Sequence, residues 1–245
     1  MNDPYLYEDS AVLRNLLNIQ DEKALNLAEA ELSRANMMLL YEQGFDDFSA
    51  EGLCAIHKLL FGDVYAWAGQ VRVMNIQKRE ELLGGKSVWY ANDEDILPNL
   101  VEAWATVHAI PWDRLSREDF SHQLARTFPH LWKIHPFREG NTRTIVMLMT
   151  FFAEHHGYYF DQELLAESAG YVRNAFVLAC MGDYAEYEHL EKILLDAICV
   201  EPVQYVEYLD NTPEQELSEK YHQYRTADYQ PTAHEYRESE QQGCE

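Results

Sequence analysis

His135-Pro136-Phe137-Arg138-Glu139-Gly140-Asn141-Thr142-Arg143-Thr144, followed at once by the apolar run Ile145 to Phe152, is the stretch on which the reading of this chain turns. It gathers an imidazole, a carboxylate, an amide and an arginine around one glycine and then enters a segment that is apolar almost all round. Such a segment belongs at the centre of a helical bundle, and the polar decapeptide is the loop that opens it. A helix start presents unpaired backbone N–H groups and the positive end of the macrodipole, so a glycine-containing turn there is an anion site. Arg143 adds a fixed positive fork, Glu139 a hard ligand for a metal ion, and His135 a base that works near neutral pH. The combination points to chemistry on a phosphate.

Outward from this loop the chain reads as mostly α. Asp21 caps a helix with Leu25, Ala28, Leu32, Ala35 and Leu39 at helical spacing, stopped by Gly44. Ser49 opens another through Leu53, Ile56 and Leu60 to Gly62, and Ser116 with Asp119 resembles a capping box ahead of Phe120, Leu124, Phe128 and Leu131. Pro129 is expected to bend that helix, and Gly157 to close the central one. Asp161 and Asp183 are read as opening two more, the second carrying Tyr184, Tyr187, Leu190, Leu194 and Ile198. Val71 to Ile76 and Ser87 to Tyr90 look extended, with Gly84-Gly85 as a turn between them, which predicts a short hairpin. The expected organisation is an N-terminal helical region over 1–45, a core over 46–200 and an acidic polar tail over 201–245. From Asp210 onward the tail has few aliphatic residues and cannot build a core of its own. It is compatible with a solvated helical arm, a disordered tail or a docking segment bearing Tyr221, Tyr224, Tyr229 and Tyr236.

Lys and Arg total 19 against 42 Asp and Glu, a formal charge of -23, which argues against an electrostatic grip on nucleic acid or anionic lipid. Cys54, Cys180, Cys199 and Cys244 are widely spaced and read as reduced thiols. No apolar run approaches the roughly 20 residues of a membrane span, and no secretory signal pattern opens the chain; a cytoplasmic location is expected.

The decapeptide resembles the active-site motif of the Fic (filamentation induced by cyclic AMP) family, His-x-Phe-x-(Asp/Glu)-Gly-Asn-Gly-Arg-x-x-Arg. His135, Phe137, Glu139, Gly140, Asn141 and Arg143 match it, and the upstream segments Ile56 to Phe61 and Asp63 to Gln70 are also similar to Fic sequence, so the resemblance spans roughly residues 10 to 200. Thr142 replaces the third small residue, and Val146 stands where the second arginine belongs. The resemblance implies a Fic-type helical bundle with a hairpin flap, and transfer of AMP from ATP to a Ser, Thr or Tyr hydroxyl of a target protein with release of pyrophosphate.

In that reading His135 is the general base, Glu139 holds Mg²⁺, the turn of Gly140, Asn141 and Thr142 binds phosphate through its N–H groups, and Arg143 neutralises the leaving pyrophosphate. Asn141 also caps the helix or steadies a phosphate through its amide, and Phe137 reads as a core anchor. The flap residues Ile76, Gln77, Lys78, Gly84, Gly85 and Lys86 would bind the target as an added strand; Lys78 by itself reads as a solvated lysine. His57 has no ligand spacing. In the family the second arginine holds the distal phosphate and, in autoinhibited members, pairs with a glutamate of a Ser/Thr-x-x-x-Glu-Gly/Asn helix. No complete copy of that helix is visible: Thr212 to Glu216 continues with Leu217, and Ser33 leads to Met37. Either blocking comes from elsewhere, a separate small antitoxin being the expected inhibitor, or the enzyme is weak enough not to require it. Two alternatives stand beside the main reading: a Fic-fold transferase with another nucleotide-type donor, and a catalytically quiet Fic-fold binding module.

Overall fold

The computed structural model describes residues 3–201 and Tyr224. Helix α1 (Glu22–Gln43) begins where Asp21 accepts from the Ala24 N–H at 2.8 Å and ends at Gly44, whose φ of 72° no helical residue shares. Helix α2 (Ala50–Phe61) is capped by Ser49, and α4 (Arg117–Ile134) by Ser116, whose Oγ accepts from the Asp119 N–H and donates to its carboxylate. Between them lies α3 (Ile96–His108), and Pro129 is accommodated inside α4.

Helix α5 (Asn141–His155) is the centre. Ile145 and every residue from Met147 to Ala153 are buried, packed between α2 and α4. Each such aliphatic or aromatic side chain contributes on the order of 1.5–3 kcal/mol, so this apolar run fixes where the preceding loop must sit. Beyond it come the strand β1 (Tyr159–Phe160), α6 (Gln162–Glu167) capped by Asp161, α7 (Ala169–Ala179), α8 (Glu188–Ala197) and the strand β2 (Ile198–Cys199). β1 and β2 form a two-stranded antiparallel sheet with Tyr159 opposite Cys199. The mostly helical bundle matches the expected fold class.

Three local expectations are corrected. Asp183 does not open a helix: Gly182 (φ 63°) breaks the chain after α7, residues 182–184 form a single 3₁₀ turn, and α8 starts at Glu188, so Tyr184 lies outside it and Ile198 in β2. The segments Val71 to Ile76 and Ser87 to Tyr90 are not strands and form no ladder, Val73 and Met74 lying in a bend. Donors of the first go elsewhere, Arg72 N–H to the Pro136 carbonyl at 2.8 Å and Val73 N–H to the Tyr5 hydroxyl at 3.1 Å, and between the segments Lys78 N–H meets a side chain, Ser87 Oγ, at 3.1 Å. The tip is instead pinned by a 3₁₀ turn over Glu81–Leu83 and by Glu80 N–H on the Lys86 carbonyl. The flap is a latched loop, not a hairpin.

The third correction concerns α1. Its buried stripe is Leu25, Glu29, Ser33 and Leu40, whereas Ala35 and Leu39 face solvent, so the helix is rotated from the apolar stripe read in the sequence. Two polar side chains inside the bundle need partners there, and they have them. Tail residues 202–223 and 225–245, with the Thr212 segment and Tyr221, Tyr229 and Tyr236, lie outside the described residues. Tyr224 is buried edge-on against Tyr171, its hydroxyl donating to Asp196.

Candidate active site

The loop between α4 and α5 is built by two left-handed residues. His135 ends α4 at φ 51°, and Gly140 precedes α5 at φ 81°. At Gly140 glycine is required twice over: the backbone is left-handed, and a Cβ would lie 2.5 Å from Cε2 of Phe61. With no side chain at 140 to cap the first turn of α5, the N–H groups at its start point out of the helix end, as an anion site needs. Gly140's own N–H donates to Glu139 Oε1 at 3.1 Å.

The loop is braced from inside. The amide of Asn141 accepts from the Phe137 N–H at 2.9 Å and donates to the Phe137 carbonyl at 2.8 Å, so it braces the loop. Phe137 is fully buried, as expected of an anchor, and stacks on His57 at 3.8 Å. His57, given no role by its spacing, ties three segments together. Its Nδ1 accepts from the Gly69 N–H at 2.8 Å, which leaves Nε2–H to donate to the Glu139 carbonyl at 3.0 Å. Burial pushes its pKa down to about 4, so it is neutral at physiological pH. Thr142 accepts from the Trp132 indole at 2.9 Å, which ties α5 to α4 and accounts for a hydroxyl at this position.

Arg72 is a second brace that the sequence reading passed over. Nearly wholly buried, it donates to the carbonyls of His135 at 2.9 Å, Met74 at 2.7 Å and Ala91, joining the end of α4 to both ends of the flap. Its only sequence signal is a lone cation in the apolar alternation Val71-Arg72-Val73.

The chemistry-bearing side chains follow. His135 Nδ1 lies 3.3 Å from the Trp132 carbonyl, which requires its N–H and places the lone pair on Nε2. That Nε2 is buried and makes no hydrogen bond. Burial first, then the charges of Lys78, Arg72 and Arg173, hold the imidazole well below its ordinary pKa. The ring is not open to solvent: Tyr90 of the flap stacks on it at 3.9 Å and leaves it 2% exposed. Tyr90's hydroxyl donates to Glu80, which Arg173 of α7 grips with two hydrogen bonds of 2.6 and 2.9 Å. The flap is thus latched over the His135 imidazole.

Glu139 is partly exposed, and Lys78 Nζ sits 3.0 and 3.1 Å from its two oxygens. Lys78 is therefore ion-paired, not solvated. Burial would push the Glu139 carboxyl up, but Lys78, the Gly140 N–H and Arg143 outweigh it and keep the group below the usual carboxylate range. Arg143 lies 4.7 Å over the Phe61 ring and donates to Ser33 Oγ at 2.8 Å and to Glu29, whose other oxygen accepts from the Tyr65 hydroxyl. These are the partners that bury Glu29 and Ser33. The flap residues Ile76, Gln77, Lys78, Gly85 and Lys86, with Trp89, line a cleft of about 440 Å³, while Gly84 lies outside that lining.

A helical bundle whose central helix opens on a glycine turn, with base, acid and arginine around it, defines a class of phosphate-handling transferases. The Fic/DOC family model matches residues 47–153. The chain is 31% identical over 169 residues to the Sinorhizobium fredii protein y4lH, named a probable protein adenylyltransferase, covering 67% of this chain and 82% of that one. To the protein adenylyltransferase VbhT of Bartonella schoenbuchensis it is 32% identical over 161 residues, 65% of this chain but 32% of VbhT, so the chain spans about a third of that relative. The ADP-bound N-terminal Fic domain of a VirB-translocated Bep effector from Bartonella quintana superposes with a TM-score of 0.67 at 25% identity, covering 80% of this chain and 94% of that one. This chain belongs to the Fic/DOC family, and the relatives it matches are named protein adenylyltransferases or probable ones. Among the described residues no helix is long and apolar enough to cross a membrane.

Proposed function

We propose that this chain transfers AMP from ATP to a Ser, Thr or Tyr hydroxyl of a target protein, with His135 as the base and the turn at Gly140 as the phosphate cradle. The observation that carries the reading is the lone pair on His135 Nε2, directed away from Trp132 and left without a hydrogen-bond partner. A buried nitrogen in that state is costly unless a substrate supplies the missing donor. The incoming hydroxyl is that donor: it gives its proton to Nε2 as its oxygen attacks the α-phosphorus, and pyrophosphate leaves. The N–H groups opening α5 take up charge on the phosphate, and Arg143 takes up charge on the leaving group.

Glu139 fits a hard divalent cation bound mainly by substrate phosphates and water, since it is ionised, partly exposed and supported by the Gly140 N–H. No three-residue cluster of acid, His or Cys ligands occurs among the described residues, so a site built wholly by the protein is not what these residues suit. Mg²⁺ held by Glu139 would screen phosphate charge; positioning and proton transfer remain with the chain's own residues.

For substrate to enter, Tyr90 leaves the His135 ring and Arg143 turns from Glu29. Glu29 and Ser33 thus do by an internal helix part of what a separate antitoxin was expected to do. Such an antitoxin, a cytoplasmic location and the lack of nucleic-acid partners stay part of the proposal. Incubating the chain with ATP, Mg²⁺ and cell lysate, followed by intact mass spectrometry, is expected to show a gain of one AMP on a target protein and none with His135→Ala. A gain that persists in the variant removes His135 from its role.

A further inference from the structure

The cations around the turn each hold a defined partner. Arg72 is spent on backbone carbonyls, Arg173 on Glu80, Arg138 on Asp3 and Arg143 on Glu29. Val146, one helical turn beyond Arg143, packs against the apolar core and adds no charge. A triphosphate carries about four negative charges, and Arg143 alone is a small counterweight for them.

Lys78 differs from the others in what it touches. Its ammonium bridges both oxygens of Glu139, the residue directly before the anion turn. Glu139 is also the carboxylate assigned to a divalent cation, so among these cations Lys78 is the one whose present partner is drawn elsewhere as substrate binds. The ammonium is still 22% exposed on its side chain, and the four-carbon stem with three rotating donors lets it change partner without stranding a buried charge. Its charge is also the second-largest influence depressing His135, which places it in the same field as the base.

We propose that Lys78 is a polyphosphate ligand: on nucleotide binding its ammonium leaves the Glu139 carboxylate and donates to phosphate oxygens, supplying positive charge that Val146 does not. This rests on the adenylyl-transfer reading of the site. It would also link nucleotide to the flap, because the Lys78 N–H donates to Ser87, three residues before the Tyr90 that covers His135.

The test is calorimetric titration of the full chain at fixed excess Mg²⁺ with ATP, and with adenosine as the phosphate-free control, for wild type, Lys78→Met and Lys78→Arg. The expected result is an ATP affinity about tenfold weaker in Lys78→Met, near wild type in Lys78→Arg, with adenosine unchanged in both. Equal ATP affinity in wild type and Lys78→Met overturns the lysine's role while leaving the nucleotide site intact. Equal losses of ATP and adenosine also overturn it, because they mark a loosened flap and not a lost phosphate contact. Failure of wild type to bind ATP at all overturns the adenylyl-transfer reading itself, and the role of Lys78 with it.

Discussion

Replacing Gly140 with alanine tests whether the turn is as tightly determined as its geometry implies. Two costs add. An L-residue held at φ 81° costs about 1–2 kcal/mol in backbone energy. The new methyl would also lie 2.5 and 2.6 Å from Cε2 and Cζ of Phe61, a ring that is 0% exposed and cannot swing into solvent, and such overpacking costs about 1–3 kcal/mol. The total of about 2–5 kcal/mol corresponds to a fall in Tm of about 4–20 °C for a chain of this size. Phe61 also carries the Arg143 guanidinium over one face and lies 4.9 Å from the His57 ring, so displacing it disturbs Arg143 as well. The assay is urea unfolding of wild type, Gly140→Ala, Phe61→Leu and the double variant. Leucine at 61 removes the ring atoms in the way but not the left-handed backbone, so Gly140→Ala should cost about 1–2 kcal/mol in that background and clearly more in the wild type. Equal costs in the two backgrounds, or a cost below about 1 kcal/mol in the wild type, would refute the reasoning.

Three further outcomes are expected. Glu29→Gln should tighten ATP binding by about tenfold, the order of one charge-assisted hydrogen bond, while lowering Tm; unchanged affinity in a titration would show that Glu29 does not compete for Arg143. Tyr90→Ala should speed carbethoxylation of His135 by diethyl pyrocarbonate, followed by peptide mapping, since the tyrosine ring is what covers it; an unchanged rate would mean that the imidazole is closed off by something else. His57 is lowered from 6.5 to about 4, so the unfolded chain binds a proton that the folded chain refuses: its stabilising share is whole above pH 6.5 and shrinks by about 3 kcal/mol as pH falls to 4, and His57→Gln should flatten urea stability against pH across that window.

The central helix and its loop were legible because two independent periodicities converge there: an all-apolar run demands burial, and a polar glycine turn before it demands an exposed helix start. Caps at Asp21, Ser49, Ser116 and Asp161 were legible for a local reason, since each needs only a side-chain oxygen two or three residues from the N–H it accepts. What the sequence hid is long-range. The stripe of α1 was misphased because Glu29 and Ser33 are buried only by virtue of Arg143 and Tyr65, 114 and 36 residues from Glu29 respectively. Arg72 and His57 were missed for the same reason, as their partners are backbone carbonyls and amides that no side-chain pattern announces. The flap failed as a hairpin because its donors are scattered, Arg72 N–H to the motif loop, Val73 N–H to the Tyr5 hydroxyl and Lys78 N–H to the Ser87 side chain, none of which a local turn signal announces.

Taken together, the ion pairs describe a site at rest that is balanced against itself. Arg143 holds Glu29, Lys78 holds Glu139, and Tyr90 is kept on His135 through Glu80 and Arg173. In a chain of formal charge -23, an unpaired arginine beside a helix N-terminus would draw any nearby carboxylate, and placing Glu29 on a packed helix determines which one it meets. On the proposed reading, ATP binding would be an exchange, phosphates replacing carboxylates on cations already in position, so its net free energy would be the difference between two sets of charge-assisted bonds and not the sum of one. It follows that substitutions on α1 and the flap, well away from the α-phosphorus, should move nucleotide affinity more than substitutions of the buried braces around Phe137, which should move stability instead.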